Sequence, residues 1–168
     1  MLLLAAALPG SGLAAQDTRP LADEPELHYF DFWAGTWHRI VDGRVDTTAT
    51  RFVVTPGVHA GAWEETWRQR LDTATVLHAR AFRVWDKTTR RWMYVWVSDN
   101  GLFQVWEGRK VGANWYFYRE FDIQGDRYLS RQAWLPAGPG RLVRISERSS
   151  DSGGTWQLRF REEYRRAP

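Results

Sequence analysis

Phe30-Asp31-Phe32-Trp33-Ala34-Gly35-Thr36-Trp37 decides how this chain is read, because the hydrophobic pattern changes its period there. Before it, Leu27, Phe30 and Trp33 recur at helical spacing behind acidic residues, which predicts a short helix over 24–32. After it, the period is two, that of strands. Gly35 lets the backbone turn tightly and approach a neighbour, and Trp37 two residues on supplies a large rigid ring that can plug one end of a closed sheet.

Ten segments of strand pattern follow, at 36–41, 44–55, 58–70, 75–85, 91–98, 102–109, 114–122, 126–135, 141–149 and 155–165. The separators are turn chemistry: Asp42-Gly43, Pro56-Gly57, Asp99-Asn100-Gly101, Gly125-Asp126, the stretch 136–140 and the stretch 151–154. Consecutive strands with short turns pair with their neighbours antiparallel, and closing such a sheet removes its exposed edges. The expected fold is therefore all-β, a single antiparallel up-and-down barrel of about ten strands with a short N-terminal helix capping one end. A two-sheet sandwich is the alternative.

The length of 168 residues suits one domain with a substantial core. The 11 Trp, 8 Phe and 6 Tyr are far above ordinary usage, while 26% charged residues and a mean hydropathy of -0.52 are unexceptional, so buried aromatics must alternate with a polar exterior. The net charge is +3, but only Lys87 and Lys110 are lysines, and the arginines alternate with acids, as in Arg161-Glu162-Glu163-Tyr164-Arg165. Phosphate binding wants a stripe of one sign, which argues against nucleic acid as a partner. Residues 1–15 read as a secretory signal, with an apolar run at 2–8 broken by Pro9 and Gly10 and small residues for cleavage, although no basic residue follows Met1. The run is too short to span a bilayer, and no other segment is apolar enough for an integral membrane span. Residues 16–23 are then a flexible leader and 24–168 the barrel domain, placed in the periplasm or secreted. Without cysteine the chain has neither disulfides nor thiolate chemistry.

Chemistry points first to the segment 58–70, where Trp63, Glu65, Trp67 and Gln69 share one face. A carboxylate on an aromatic wall must be paired or neutralised. The next strand offers Arg80 and Arg83 on opposite faces, and the register of the intervening turn selects between them. The pair is either a structural ion pair or a polar anchor in a ligand cavity. On the last strand Trp156, Leu158, Phe160, Glu162 and Tyr164 fall on one face. Trp92, Tyr94 and Trp96 alternate with Met93, Val95 and Val97, so that strand is apolar on both faces and is either covered outside or meets another surface, a dimer contact being one form of it. His28, His38, His59 and His78 are scattered without metal-ligand spacing, and no late histidine is available to a haem; the expectation is no metal and no cofactor. No Gly-x-Ser-x-Gly elbow or phosphate-cradling loop is present.

The opening string, Glu65-Thr66-Trp67, Trp85-Asp86, Trp92, Trp96-Val97-Ser98-Asp99, Arg131-Gln132-Ala133-Trp134-Leu135-Pro136, and Ser150-Asp151-Ser152-Gly153-Gly154-Thr155-Trp156 before Tyr164 together resemble an exported bacterial domain-of-unknown-function family, counted among lipocalin-like proteins, whose hallmark is Phe-Asp-Phe-Trp-x-Gly-x-Trp. The resemblance runs over almost all of the mature chain. It implies a calycin-like barrel and export, and no reaction. Arg83 stands where family members often have a small polar amide, and the loop before Trp156 lacks a lysine common there. An inward guanidinium would favour an acidic ligand.

The functional expectation is an exported binding protein for a small hydrophobic or aromatic molecule carrying a polar or acidic group, acting as a monomer or homodimer. Trp37, Trp63, Trp67 and Trp96 form its wall, Glu65 and Arg83 its anchors, with Arg131 and Tyr164 as further ligand-binding candidates. Two other readings are an isomerase, cyclase or hydrolase with Glu65 as acid or base, and a filled barrel acting through its surface.

Overall fold

The change of period after Trp33 is realised directly in the backbone. In the computed structural model, which describes residues 19–168, two 3₁₀ turns, Pro25–His28 and Asp31–Trp33, stand where one helix was expected. The spacing explains the difference. Leu27, Phe30 and Trp33 are each three residues apart, which aligns them on a three-residue turn, and all three are buried. The export signal expected at 1–15 and the first residues of the leader lie outside the described residues. Within the leader, Leu21 packs against the core.

The strands are β1 (Gly35–Val41), β2 (Arg44–Val45), β3 (Arg51–Pro56), β4 (Ala62–Arg70), β5 (Val76–Asp86), β6 (Arg91–Ser98), β7 (Phe103–Val111), β8 (Asn114–Ile123), β9 (Asp126–Pro136), β10 (Arg141–Ser149) and β11 (Gln157–Arg166). β3 to β11 pair in sequence order, β1 pairs with β3, and β11 returns to β1 with Trp37 opposite Arg166 and Arg39 opposite Tyr164. The barrel is thus closed, ten antiparallel strands with β2 as a short extra strand turned back on β1. Closure rules out the two-sheet sandwich and leaves no long sheet edge exposed.

Two expected strands are shorter than the pattern suggested. The segment 44–55 is interrupted because the Asp46 carboxylate accepts hydrogen bonds from the backbone N–H of Thr48 (2.8 Å) and Ala49 (3.1 Å) and from the Thr48 hydroxyl (2.7 Å), a local turn that competes with the ladder. The segment 58–61 is a turn closed by the Ala62 N–H on the His59 carbonyl (2.9 Å). At the start of β1, Gly35 has φ +121°, which is closed to residues with a side chain. Gly61 has no room for one, since a Cβ there would stand 2.7 Å from Leu27 Cδ2 and 2.8 Å from Trp85 Cβ.

The interior divides into two halves. One is filled by the N-terminal segment, whose Trp33 stacks on Phe52 (4.9 Å between ring centroids) while Phe52 stacks on Trp67 (4.1 Å), and whose Phe30 meets Trp92 edge-on (4.9 Å). Trp37 belongs to this closed end, donating its Nε1–H to the Trp33 carbonyl (2.9 Å). Carboxylates of the N-terminal segment tie it to the barrel: Glu26 accepts from Trp115 Nε1 (2.9 Å) and pairs with Lys110 (2.5 Å), and Glu24 accepts from Trp85 Nε1 (3.2 Å) and pairs with Arg90 (2.5 Å). The other half is open.

The phase of β11 departs from simple alternation. Ser146 faces Phe160 but Glu147 faces Leu158, so Arg159 is an extra residue in a β-bulge. Phe160, Glu162 and Tyr164 share a face as expected, whereas Leu158 is exposed and Trp156, ahead of the strand, packs outside on Tyr118 (5.8 Å). On β6, Trp92, Tyr94 and Trp96 point inward; outside, Val97 is exposed beside Phe82, Phe103 and Val105.

Candidate functional site: a sealed ion pair and an open cavity

Two polar groups of the interior have opposite surroundings. On β4, alternation turns Trp63, Glu65 and Trp67 inward, and the register with β5 sets Ala81 opposite Glu65 and Arg83 opposite Trp63. Arg83 therefore reaches Glu65 diagonally, Nη2 to Oε1 at 3.0 Å, with both side chains wholly buried. Arg80, on the outer face, donates to the Thr66 hydroxyl instead. Both carboxylate oxygens are also taken by indoles: Trp33 Nε1 donates to Oε1 (3.0 Å) and Trp67 Nε1 to Oε2 (2.8 Å).

The Arg83 guanidinium is held by rings as much as by charge. Its central carbon lies 4.2 Å from the Trp134 ring centroid, 4.5 Å from Trp33, 4.6 Å from Phe30, and 5.1 Å from both Tyr94 and Phe117. The approach to Glu65 is at ion-pair distance but out of line with every N–H, so no nitrogen of Arg83 makes a directed hydrogen bond. Burial pushes its pKa down, Glu65 opposes that, and the delocalised guanidinium stays charged, stabilised by aromatic faces.

Beyond Trp134 and Tyr94 the barrel opens into a cavity of about 610 Å³. Inward side chains of β4 to β11 line it, including Trp96, Trp106, Phe121, Tyr128, Gln132 and Phe160. Leu71, Leu102, Phe103 and Ile123, all substantially exposed, border its mouth, joined by Arg119 and Arg159.

At the cavity floor stands Arg144 of β10, in register with Trp134 on one side and Glu162 on the other. Its Nη1 donates to Glu162 Oε2 (3.3 Å) and its Nη2 to Gln132 Oε1 (3.2 Å), while Nε is buried without a partner. Glu162 is shared: Arg39 Nη1 approaches Oε1 at 3.5 Å, and the Tyr164 hydroxyl donates to Oε2 (2.8 Å). Burial works against the charge of Arg144, but Glu162 and the nearby Tyr164 and Tyr94 outweigh it and raise its pKa. Burial likewise pushes the hydroxyls of Tyr94 and Tyr164 up, so both remain protonated donors.

The residues singled out from sequence separate accordingly. Trp37, Trp63, Glu65, Trp67 and Arg83 belong to the closed half, and none of the five lines the cavity. Trp96 does line it. Tyr164 is buried beneath it, bound to Glu162. Arg131 is on the outer face, paired with Glu147 (2.6 Å) and 3.9 Å from the Trp156 ring centroid. Sequence reasoning passed over Arg144, Gln132 and Arg39. Their available signal was the alternation Leu142, Arg144, Ser146 on β10, which shares a face with Glu162 only once the pairing is known.

Among the described residues no three His, Cys, Asp or Glu stand close enough to hold a metal ion, and no helix is long and apolar enough to cross a membrane. A scan against protein-family models and a search of curated proteins gave no match to this chain.

Proposed function

We propose that this is an exported binding protein, periplasmic or secreted, which holds a small, largely apolar or aromatic molecule in the open half of its barrel. The observation that carries the reading is the cavity: about 610 Å³, walled by aromatic side chains from several strands, with a few polar groups converging at its floor. Such a combination supplies contact area together with orientation. Export is supported by the apolar run and small residues at 1–15, and membership of the lipocalin-like exported family by the Phe30 to Trp37 string. Glu65 contributes through the closed half, since its oxygens are engaged by two indoles and Arg83 and are out of reach of the cavity. An acid–base role for it finds no support in that geometry.

Native mass spectrometry of the protein purified from its own host tests the reading. A co-purifying small molecule is expected on the wild type and is expected to be lost in Ser146→Trp, where a large ring is built from a buried cavity wall. A bound mass that persists in Ser146→Trp, or a wild type with no bound molecule and no change in tryptophan emission on adding aromatic and aliphatic compounds, overturns it.

A further inference from the structure

We infer that the ligand of this cavity is a monocarboxylate held head-in, its carboxylate on Arg144 at the floor and its apolar body directed to the mouth. The inference rests on the cavity-binding reading above and adds the chemical class and the orientation. Three observations converge. First, the cluster at the floor has an excess cation, because Arg39 and Arg144 share the single carboxylate of Glu162. Arg144 and Glu162 are mostly buried while the Arg39 side chain is about a third exposed, so the surplus charge is partly screened by solvent and still favours an anion over a neutral head at Arg144.

Second, the floor has spare donors. Arg144, which lines the cavity, has its Nε buried without a hydrogen-bond partner. Gln132 spends its carbonyl oxygen on Arg144, which leaves its amide N–H groups for the cavity it lines, and Ser146 and Tyr94 line the same space. A carboxylate offers acceptor oxygens and no donor, and its plane matches an arginine edge. One excess cation suits a monoanion better than a phosphate monoester with about two charges at neutral pH.

Third, the two ends of the cavity differ. Leu71, Leu102, Phe103 and Ile123 give the mouth an apolar border, which suits a hydrocarbon body and not a charged head. Arg119 and Arg159 are also at the mouth, but a charge there faces water and is screened. Arg83, the cation that sequence suggested for an acid, is paired one to one with Glu65, enclosed by five rings in the closed half, and does not line the cavity.

Calorimetric titration of the full chain with matched acid and neutral probes tests this: decanoate against 1-decanol, and 2-naphthaleneacetate against its amide. The acids are expected to bind about tenfold or more tightly than their neutral partners, the scale of a charge-assisted hydrogen bond. Arg144→Gln is expected to erase that preference, bringing each acid down to about the affinity of its neutral partner measured on the same variant. Glu162 keeps Arg39 and Tyr164 in this variant, so no buried charge is left unpaired. Arg144→Lys, which keeps a charge but loses the planar fork, is expected to retain part of the preference, and its loss relative to wild type serves as the reading if Arg144→Gln does not fold. Equal binding of acid and neutral probes by the wild type overturns the inference but leaves cavity binding standing. So does a preference that survives both Arg144 variants and disappears in Arg119→Gln/Arg159→Gln, which would put the head at the mouth. If neither member of either pair binds, the cavity reading falls with it.

Discussion

The two halves of this barrel each bury a carboxylate and a guanidinium, but in opposite circumstances. In the closed half, Glu65 and Arg83 are matched one to one, the carboxylate is capped by the indoles of Trp33 and Trp67, and the guanidinium, though its nitrogens make no directed hydrogen bond, is walled off from the cavity by rings. In the open half, Glu162 is divided between Arg39 and Arg144, and Arg144 lines a cavity with its Nε unpartnered. The contrast shows that burial of a charged pair is not by itself a functional signal. Stoichiometry and access separate a structural pair from a binding one.

The largest expected effect lies in the closed half. Arg83→Met or Glu65→Gln alone leaves an uncompensated group among aromatic rings and should cost about 3–5 kcal/mol of unfolding free energy, whereas the double variant Arg83→Met/Glu65→Leu should recover most of it. Urea unfolding of the three variants measures this. Single variants that melt like the wild type would break the distinction between the halves.

A truncation on each side sharpens the comparison. Trp33→Ala removes a ring stacked on Phe52 and one donor to Glu65, and is expected to cost about 3–5 kcal/mol. Phe103→Ala, at the mouth with a side chain that is largely exposed, should stay within about 0.5 kcal/mol. Denaturation midpoints that fall equally for the two would show that the open half is packed as tightly as the closed one.

How much of this could be read in advance follows the same division. Strand boundaries and closure were legible because turn residues and alternation agree over most of the chain, and Glu65 was legible as an inward group because tryptophans flank it at two-residue spacing. Its choice of Arg83 over Arg80 waited on the register across the 71–75 turn. Of the open half only Trp96 was legible. On β10 the apolar residues Val143 and Ile145 lie on the outer face and Arg144 and Ser146 on the inner one, the reverse of what hydrophobicity suggests, because that inner face borders a cavity and not a dry core. The bulge at Arg159 then shifts the first part of β11 out of the phase of the rest, which is why simple alternation puts Trp156 and Leu158 on one face with Phe160 while the fold turns them outward. A single unpaired residue has no signature in a hydrophobic pattern.

Acid should loosen the closed end before it affects the rest of the barrel. The hydrogen bond from Lys110 holds the Glu26 carboxyl below its ordinary value of 4.5, with Trp115 adding to it and partial burial opposing. A carboxyl with a depressed folded-state pKa contributes stability above its unfolded value, and that contribution disappears as pH falls through the folded-state value. Amide hydrogen exchange of the segment 24–33 is therefore expected to speed up below about pH 4 in the wild type relative to Glu26→Gln, which has no such group to protonate. Equal pH dependence in the two would remove Glu26 as the clasp of the closed end.

The smallest effect is expected at His28, on the solvent side of the same segment. Its ring nitrogens meet Asp23 (2.8 Å) and Asp31 (2.9 Å), and hydrogen bonds to Asp23 and then Asp31 raise its pKa above the ordinary 6.5. A histidine with a raised folded-state pKa contributes stability that is fully present below the unfolded value and is lost as pH rises through the folded one. The effect therefore runs opposite to that of Glu26, fading on the alkaline side. Because the imidazole is half exposed, solvent and salt screen the pairs, and the effect should be visible in its own titration more than in global unfolding. NMR titration of the His28 ring is expected to show a midpoint above 6.5 that moves back toward it in Asp23→Asn/Asp31→Asn, and to move the same way when salt is added to the wild type. A midpoint unaffected by either change would mean that the two carboxylates do not hold the ring in solution, leaving the Glu24 and Glu26 contacts to tether this end of the barrel.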